Sequence, residues 1–109
     1  MTTETIPEGI REEIRAEVAR FNKEELEGSG KEYQVRFEGR YVFIDRDDGF
    51  AGPSPILRLG FTGNLFDWEF AIFKYSMDDY DEQETFFPGA DQVDGTLEGA
   101  LRAGMKAYG

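Results

Sequence analysis

Apolar residues in the first quarter of the chain recur with the period of an α-helix. Thr5 and Glu8 have the spacing of a capping box at a helix N-terminus, and Gly28 can end the helix. The pattern predicts a helix over residues 6–27. The apolar side chains that share one face of this helix are Ile10, Ile14, Val18 and Phe21.

From Tyr33 onward the apolar period falls to two, which is typical of β-strands. Alternation predicts a first strand over 33–38 and an apolar second strand over 41–44. Acids, glycines and prolines over 45–55 predict a loop. A third strand follows over 56–62, and the Gly63-Asn64 turn leads into a fourth and longest strand over 66–75.

The last third of the chain is polar and then helical. Residues 76–84 are rich in acids, and Thr85-Phe86-Phe87 is a candidate edge strand that Pro88 stops. Asp94 can cap a second helix, in which Gly99 and Gly104 would permit a close approach to the sheet. The apolar stripe of this helix is formed by Leu97, Leu101, Met105 and Tyr108.

The order of these elements predicts an α+β fold in one domain over residues 1–109, with residues 1–5 frayed. We expect an N-terminal helix, a four-stranded antiparallel meander with the candidate fifth edge strand, and a C-terminal helix. Both helices would cover one sheet face in a two-layer sandwich. The alternative is a curled, barrel-like sheet with the helices against its mouth.

The composition removes several classes of function, because the chain contains neither histidine nor cysteine. Zinc fingers, thiol nucleophiles, Ser-His-Asp triads and disulfides are thereby excluded. No activated nucleophile or phosphate-binding loop motif is present. We therefore expect no catalytic residue and no cofactor. The lack of cysteine, of an apolar run of membrane-spanning length and of a signal peptide favours a cytoplasmic protein.

The net charge of −11 is concentrated in residues 45–98, which hold thirteen acids and three bases. Such a field repels phosphate backbones and anionic lipids and attracts basic proteins. We therefore expect neither a nucleic acid nor a membrane as partner. A minor alternative within protein binding is that the acids mimic a phosphate backbone and occupy a basic nucleic-acid-binding groove of the partner. The acids of 78–84 lack the spacing of a calcium loop, so no metal is predicted.

Aromatic residues make up 15% of the chain. This share is larger than the core on a single covered sheet face requires. The first hypothesis is therefore a small acidic, non-catalytic binding or adaptor domain that presents aromatics ringed by carboxylates to a protein partner or a second copy. The predicted contact residues are Tyr75, Asp78, Asp79, Asp81, Glu82, Glu84, Phe86 and Phe87.

The second hypothesis is a small-molecule-binding protein or a carboxylate- and tyrosine-based enzyme with a pocket between sheet and helices. Glu69 falls on the same strand face as Arg58, and these two residues define the candidate pocket. A buried Glu69 beside an arginine, with a raised pKa, would support this hypothesis.

Overall fold

The structure is a computed structural model that describes residues 5–50, 52–64, 66–84 and 86–108. Most of residues 1–5, predicted to be frayed, lie outside the described residues. The elements, in chain order, are α1 (Glu8–Glu25), β1 (Glu32–Glu38), β2 (Tyr41–Asp47), β3 (Pro53–Gly60), β4 (Glu69–Lys74), β5 (Asp79–Asp81), a short 3-10 helix (Ala90–Gln92) and α2 (Leu97–Ala107). The strands form one antiparallel sheet in the order β1-β2-β3-β4-β5. The predicted α+β fold is confirmed.

The pairing of the strands gives the sheet two chemically different faces, because successive side chains point to opposite sides. The inner face, which the helices cover, includes a row of apolar side chains formed by Val35, Ile44, Leu57 and Ile72. The outer face lies on the opposite side. One row of side chains on this outer face, one position along each strand from the inner row, is formed by Arg36, Phe43, Arg58 and Ala71.

Both helices pack on the inner face, as predicted. Phe21 of α1 lies against the ring of Tyr33, with 5.8 Å between ring centroids. The hydroxyl of Tyr33 in turn donates to the carbonyl of Leu101 on α2 at 2.8 Å. A Cβ atom at Gly104 would lie 2.5 Å from that hydroxyl, so glycine is what permits the close approach of α2.

The second strand extends further than its charge pattern predicted, because its charges find partners within the fold, and the third strand spans Pro53–Gly60 instead of residues 56–62. Asp45 accepts from Arg36 on the neighbouring strand, with 2.7 Å between Oδ2 and Nε. Arg46 is buried, contacts Asp48 at 2.9 Å, and donates to the carbonyl of Tyr108. Part of the predicted 45–55 loop is therefore strand, and the pairing shifts register between Ile44 and Asp45.

The fourth strand is shorter than predicted, since side-chain hydrogen bonds hold the preceding residues in a loop. Asn64 accepts from the backbone N–H of Phe66 at 2.8 Å, and Thr62 donates to the carbonyl of Asp67 at 2.7 Å. The strand begins at Glu69, and Phe66 is exposed rather than part of the inner face.

The fifth strand is present at the sheet edge, but it is formed by Asp79–Asp81 instead of residues 85–87. Thr85 lies outside the described residues, while Phe86 and Phe87 are not in a strand. The cross-strand pairing of Tyr80 with Phe73 accounts for this choice, because it places two aromatic rings 5.2 Å apart.

The helix caps also differ from the prediction. Pro7 is the N-cap of α1 and no side chain caps this helix, so the capping box of Thr5 and Glu8 is not formed. Thr96 rather than Asp94 caps α2, accepting from the backbone N–H of Gly99 at 3.1 Å. Within the described ranges, no helix is long and apolar enough to cross a membrane.

Candidate functional site

The outer face carries a cluster of aromatic rings around one guanidinium group. We call Tyr41, Phe43, Arg58 and Tyr80 the tyrosine–arginine cluster. The Cζ atom of Arg58 lies 4.5 Å from the ring centroid of Tyr41 and 5.4 Å from that of Tyr80. The rings of Phe43 and Tyr80 are 5.5 Å apart. The guanidinium is thus in cation–π contact with two tyrosines on the sheet face opposite the helices.

The strand register and one glycine bring the cluster together. Phe43 pairs with Arg58 across β2 and β3, and Tyr41 pairs with Gly60. A Cβ at Gly60 would lie 2.9 Å from Arg40 Nη1 and 3.3 Å from Tyr41 Cε1. The space over Gly60 is therefore filled by neighbouring side chains, which a larger residue would displace.

Ion pairs surround the cluster. Arg58 Nη2 contacts Glu82 Oε2 at 2.6 Å, and Arg40 Nη2 contacts Glu69 Oε1 at 2.9 Å. The Nε atom of Arg58 is buried and has no hydrogen-bond partner among the described residues. Burial raises the pKa of Tyr80, with a further contribution from Asp45, so its hydroxyl stays protonated at neutral pH.

The acidic segment 78–84 adjoins this cluster through Tyr80 and Glu82. Asp81 and Glu84 share the ammonium of Lys74, at 3.3 and 2.6 Å. The backbone N–H of Gln83 makes the largest contribution to lowering the pKa of Asp81, and Lys74 lowers it further. Lys74 makes the largest contribution to lowering the pKa of Glu84, and the backbone N–H of Phe86 lowers it further. Both carboxylates are therefore charged and paired at neutral pH.

The remaining predicted contact residues at this edge are exposed. Asp78 and Asp79 make no ion pair within the described part of the chain, so they contribute uncompensated negative charge. Asp78 has a φ of 53°, in the left-handed region. Tyr75 is 59% exposed and lies edge-on against Phe73 and Tyr108. The structure thus brings Tyr75 and the five acids to one edge of the sheet.

The two predicted phenylalanines have different environments. Phe86 is 91% exposed, which is typical of a side chain available for contact. Phe87 is half-buried and stacks on Phe70 of β4, with ring centroids 5.7 Å apart and planes inclined by 5°. Phe87 therefore has a packing role in addition to any contact it makes.

Arg58 and Glu69 share one sheet face, as predicted, but this is the outer face, opposite the helices, so they do not lie between sheet and helices, and they bind different partners. Glu69 pairs with Arg40, and its side chain is 51% exposed, while Arg58 pairs with Glu82. The buried carboxylate beside an arginine that the second hypothesis requires is not formed at Glu69.

Sequence reasoning missed Tyr80 and Arg40 as members of this surface. The alternation of side chains assigned Glu69 and Arg58 to one face, but no local signal specifies which residues become cross-strand neighbours. The structure supplies that register, and it joins Arg58 to Glu82 across 24 positions.

The chemistry of the surface is that of recognition by aromatic and charged side chains. Among the described residues, no three acidic side chains come together in a way that could hold a metal ion. No protein-family model, curated protein or solved structure matches the chain.

Proposed function

We propose that this chain is a non-catalytic protein-binding domain that binds its partner through the outer face. The observation that carries the proposal is the guanidinium of Arg58 in contact with Tyr41 and Tyr80 on the sheet face without helices. Tyrosine and arginine are enriched among the residues that dominate binding energies at protein interfaces. The cluster thus has the composition of an interface centre.

The cluster is already ordered before any partner arrives. Arg58 is held by Glu82, and its side chain is only 19% exposed. The Tyr80 ring is packed against Phe43 and Phe73. Because these side chains have few rotamers left to lose, binding at this face costs less conformational entropy than binding by flexible side chains.

The charge beside the cluster favours a partner with basic side chains. Asp78 and Asp79 are exposed and lie next to Tyr80 at the sheet edge. Unpaired carboxylates at the rim of an interface accelerate encounters with a positively charged surface and reject negatively charged ones. The proposed partner is therefore a protein whose contact surface is basic, and the proposed location is the cytoplasm.

The test compares two arginine variants in affinity capture from a native lysate, with quantification by mass spectrometry. Arg58→Met removes the guanidinium from the cluster. Arg15→Met is the matched control, because Arg15 also lies over an aromatic ring and pairs with acids, but on α1. Thermal unfolding of both variants checks that they are folded.

We expect a protein captured by the wild type to be depleted about tenfold or more with Arg58→Met and retained with Arg15→Met. Its binding should weaken as salt rises, and the double substitution of Asp78 and Asp79 by asparagine should reduce that salt dependence. Equal capture by folded Arg58→Met, or no protein enriched in repeated low-salt captures, would contradict the proposal.

A further inference from the structure

A groove lies between α1 and α2 where α2 begins, in the helical layer and away from the outer face. Ile14, Trp68 and Leu97 supply its apolar surface, and the deeper part has a volume of about 180 Å³. Phe66 lies at its side and is 75% exposed. The groove therefore combines a buried tryptophan with an aromatic ring that is open to solvent.

The volume is sufficient for one ring or a short hydrocarbon chain. An engineered apolar cavity of about 150 Å³ in another protein binds benzene, which sets the scale. The deeper part continues into a wider polar region, whose lining includes Phe66, Thr96 and Glu98. A ligand could thus place an apolar body in the deep part while a polar group stays near the rim.

Carboxylates dominate the charge of the groove. Glu13 and Glu17 line the deep part, and no cation among the described residues does. In the wider region, Arg102 is held by Glu98 at 2.7 Å, so its charge is compensated. Arg20 is the other cation there, and it partly offsets the effect of burial on Glu17. The charged side chains that line the deep part are therefore both negative.

Glu17 is the carboxylate best placed to receive a cation. It lines both regions of the groove, and it has no ion pair within the described part of the chain. Burial raises its pKa, and the nearby charges of Glu98 and Glu13 raise it further, against the opposing effect of Arg20. A cation bound at this carboxylate would replace the water that the carboxylate loses on burial, and it would compensate the carboxylate's negative charge.

We propose that the groove binds a small organic cation, with an aromatic ring or short hydrocarbon body between Trp68 and Phe66 and an ammonium group on Glu17. An anion of the same shape would meet Glu13 and Glu17, so its binding is disfavoured by like charge. A neutral analogue would fill the apolar part but bring no positive charge to Glu17. This site is separate from the proposed protein-binding face, and neither depends on the other.

The test uses benzylammonium as the probe, with benzyl alcohol and benzoate as neutral and anionic analogues of similar size. Trp68 is the only tryptophan of the chain and lines the groove, so its fluorescence reports binding directly. Amide chemical-shift changes in NMR spectra locate the site. For so small a ligand we expect a dissociation constant on the order of 1 mM. Both analogues should bind about three- to tenfold more weakly.

Two glutamate variants separate the groove from general charge effects. Glu17→Gln keeps the size of the side chain and should weaken benzylammonium binding about three- to tenfold. Glu27→Gln, an exposed glutamate outside the groove, should leave it unchanged. Arg58→Met should also leave it unchanged, which distinguishes this proposal from the protein-binding one.

Three results would overturn the proposal. The first is equal binding of benzyl alcohol or benzoate, and the second is unaltered binding in folded Glu17→Gln. The third is a set of chemical-shift changes that excludes Trp68 and the start of α2.

Discussion

The hydroxyl of Tyr33 on β1 donates a hydrogen bond to the carbonyl of Leu101 on α2, across 68 positions of the chain. The same ring lies against Phe21 of α1. One side chain therefore joins the first strand to both helices. Burial raises the pKa of Tyr33, which keeps its hydroxyl protonated and able to donate.

Tyr33→Phe should lower the free energy of unfolding by about 1–2 kcal/mol, because it removes a buried hydrogen bond while keeping the ring. Urea unfolding followed by circular dichroism measures the change. Tyr75→Phe is the control, since Tyr75 is exposed, and it should change the free energy by less than about 0.5 kcal/mol. Equal effects of the two substitutions would show that the Tyr33 hydroxyl is not important for stability.

Gly104→Ala should destabilise the protein by about 1–3 kcal/mol, although alanine is the better helix former. The new methyl group would lie 2.5 Å from the Tyr33 hydroxyl and 2.9 Å from Ile56 Cγ2. Gly9→Ala in α1 is the matched control, because among the described residues no atom outside its chain neighbours and the backbone of its own helix lies within 4 Å of its Cβ position. It should raise stability by up to about 1 kcal/mol. A stabilising Gly104→Ala would mean that α2 lies further from the sheet.

Phe86→Ala and Phe87→Ala should differ in stability although the residues are adjacent. Phe87 stacks on Phe70, so its truncation should cost about 1–3 kcal/mol in thermal or urea unfolding. Phe86 is almost fully exposed, and its truncation should cost less than about 0.5 kcal/mol. Partner binding is therefore better probed at Phe86. A large loss of stability in Phe86→Ala would contradict its exposed position.

Lys74→Met should raise the pKa of Asp81 and Glu84 toward their ordinary values of 3.8 and 4.5, because Lys74 contributes to lowering both. Since the folded pKa values are lowered, these carboxylates favour the folded state above the ordinary values. That contribution is lost as pH falls through the lowered pKa values, and the variant should show less of this acid dependence.

Carboxyl ¹³C shifts in an NMR titration measure these pKa values directly. Asp94 provides an internal control, because Thr96 lowers its pKa and Lys74 is not among the causes. It should titrate identically in both proteins. Unchanged titration of Glu84 in Lys74→Met would show that their ion pair is not formed in solution.

The fold was predictable where one periodicity extends over many residues. The apolar stripe of α1 and the alternation around Tyr33 defined the elements and the face they bury. The end of β2 was not predictable, because Asp45 and Arg46 are typical of a loop in isolation. Their partners, Arg36 and Tyr108, become visible only when the strands pair.

The candidate surface was predictable only in part, for a related reason. Composition indicated that acids and aromatics near 75–87 could serve as a contact surface, and the structure brings Tyr75 and the acids to one edge. The contact of Arg58 with Tyr80 depends on β4 pairing with β3 and on β5 pairing with β4. That arrangement follows from pairing and turn geometry over the whole sheet, which local patterns do not encode.

The simple strand order also has a kinetic consequence. Every strand pairs with its neighbour in sequence, so each pairing closes only a short loop and the sheet can form stepwise as the chain is synthesised. The helix α2 follows the whole sheet in the chain, and it covers part of the inner face. Until residues 97–107 dock, a nascent sheet exposes apolar side chains such as Leu57, so we expect aggregation to be favoured in the interval before α2 docks.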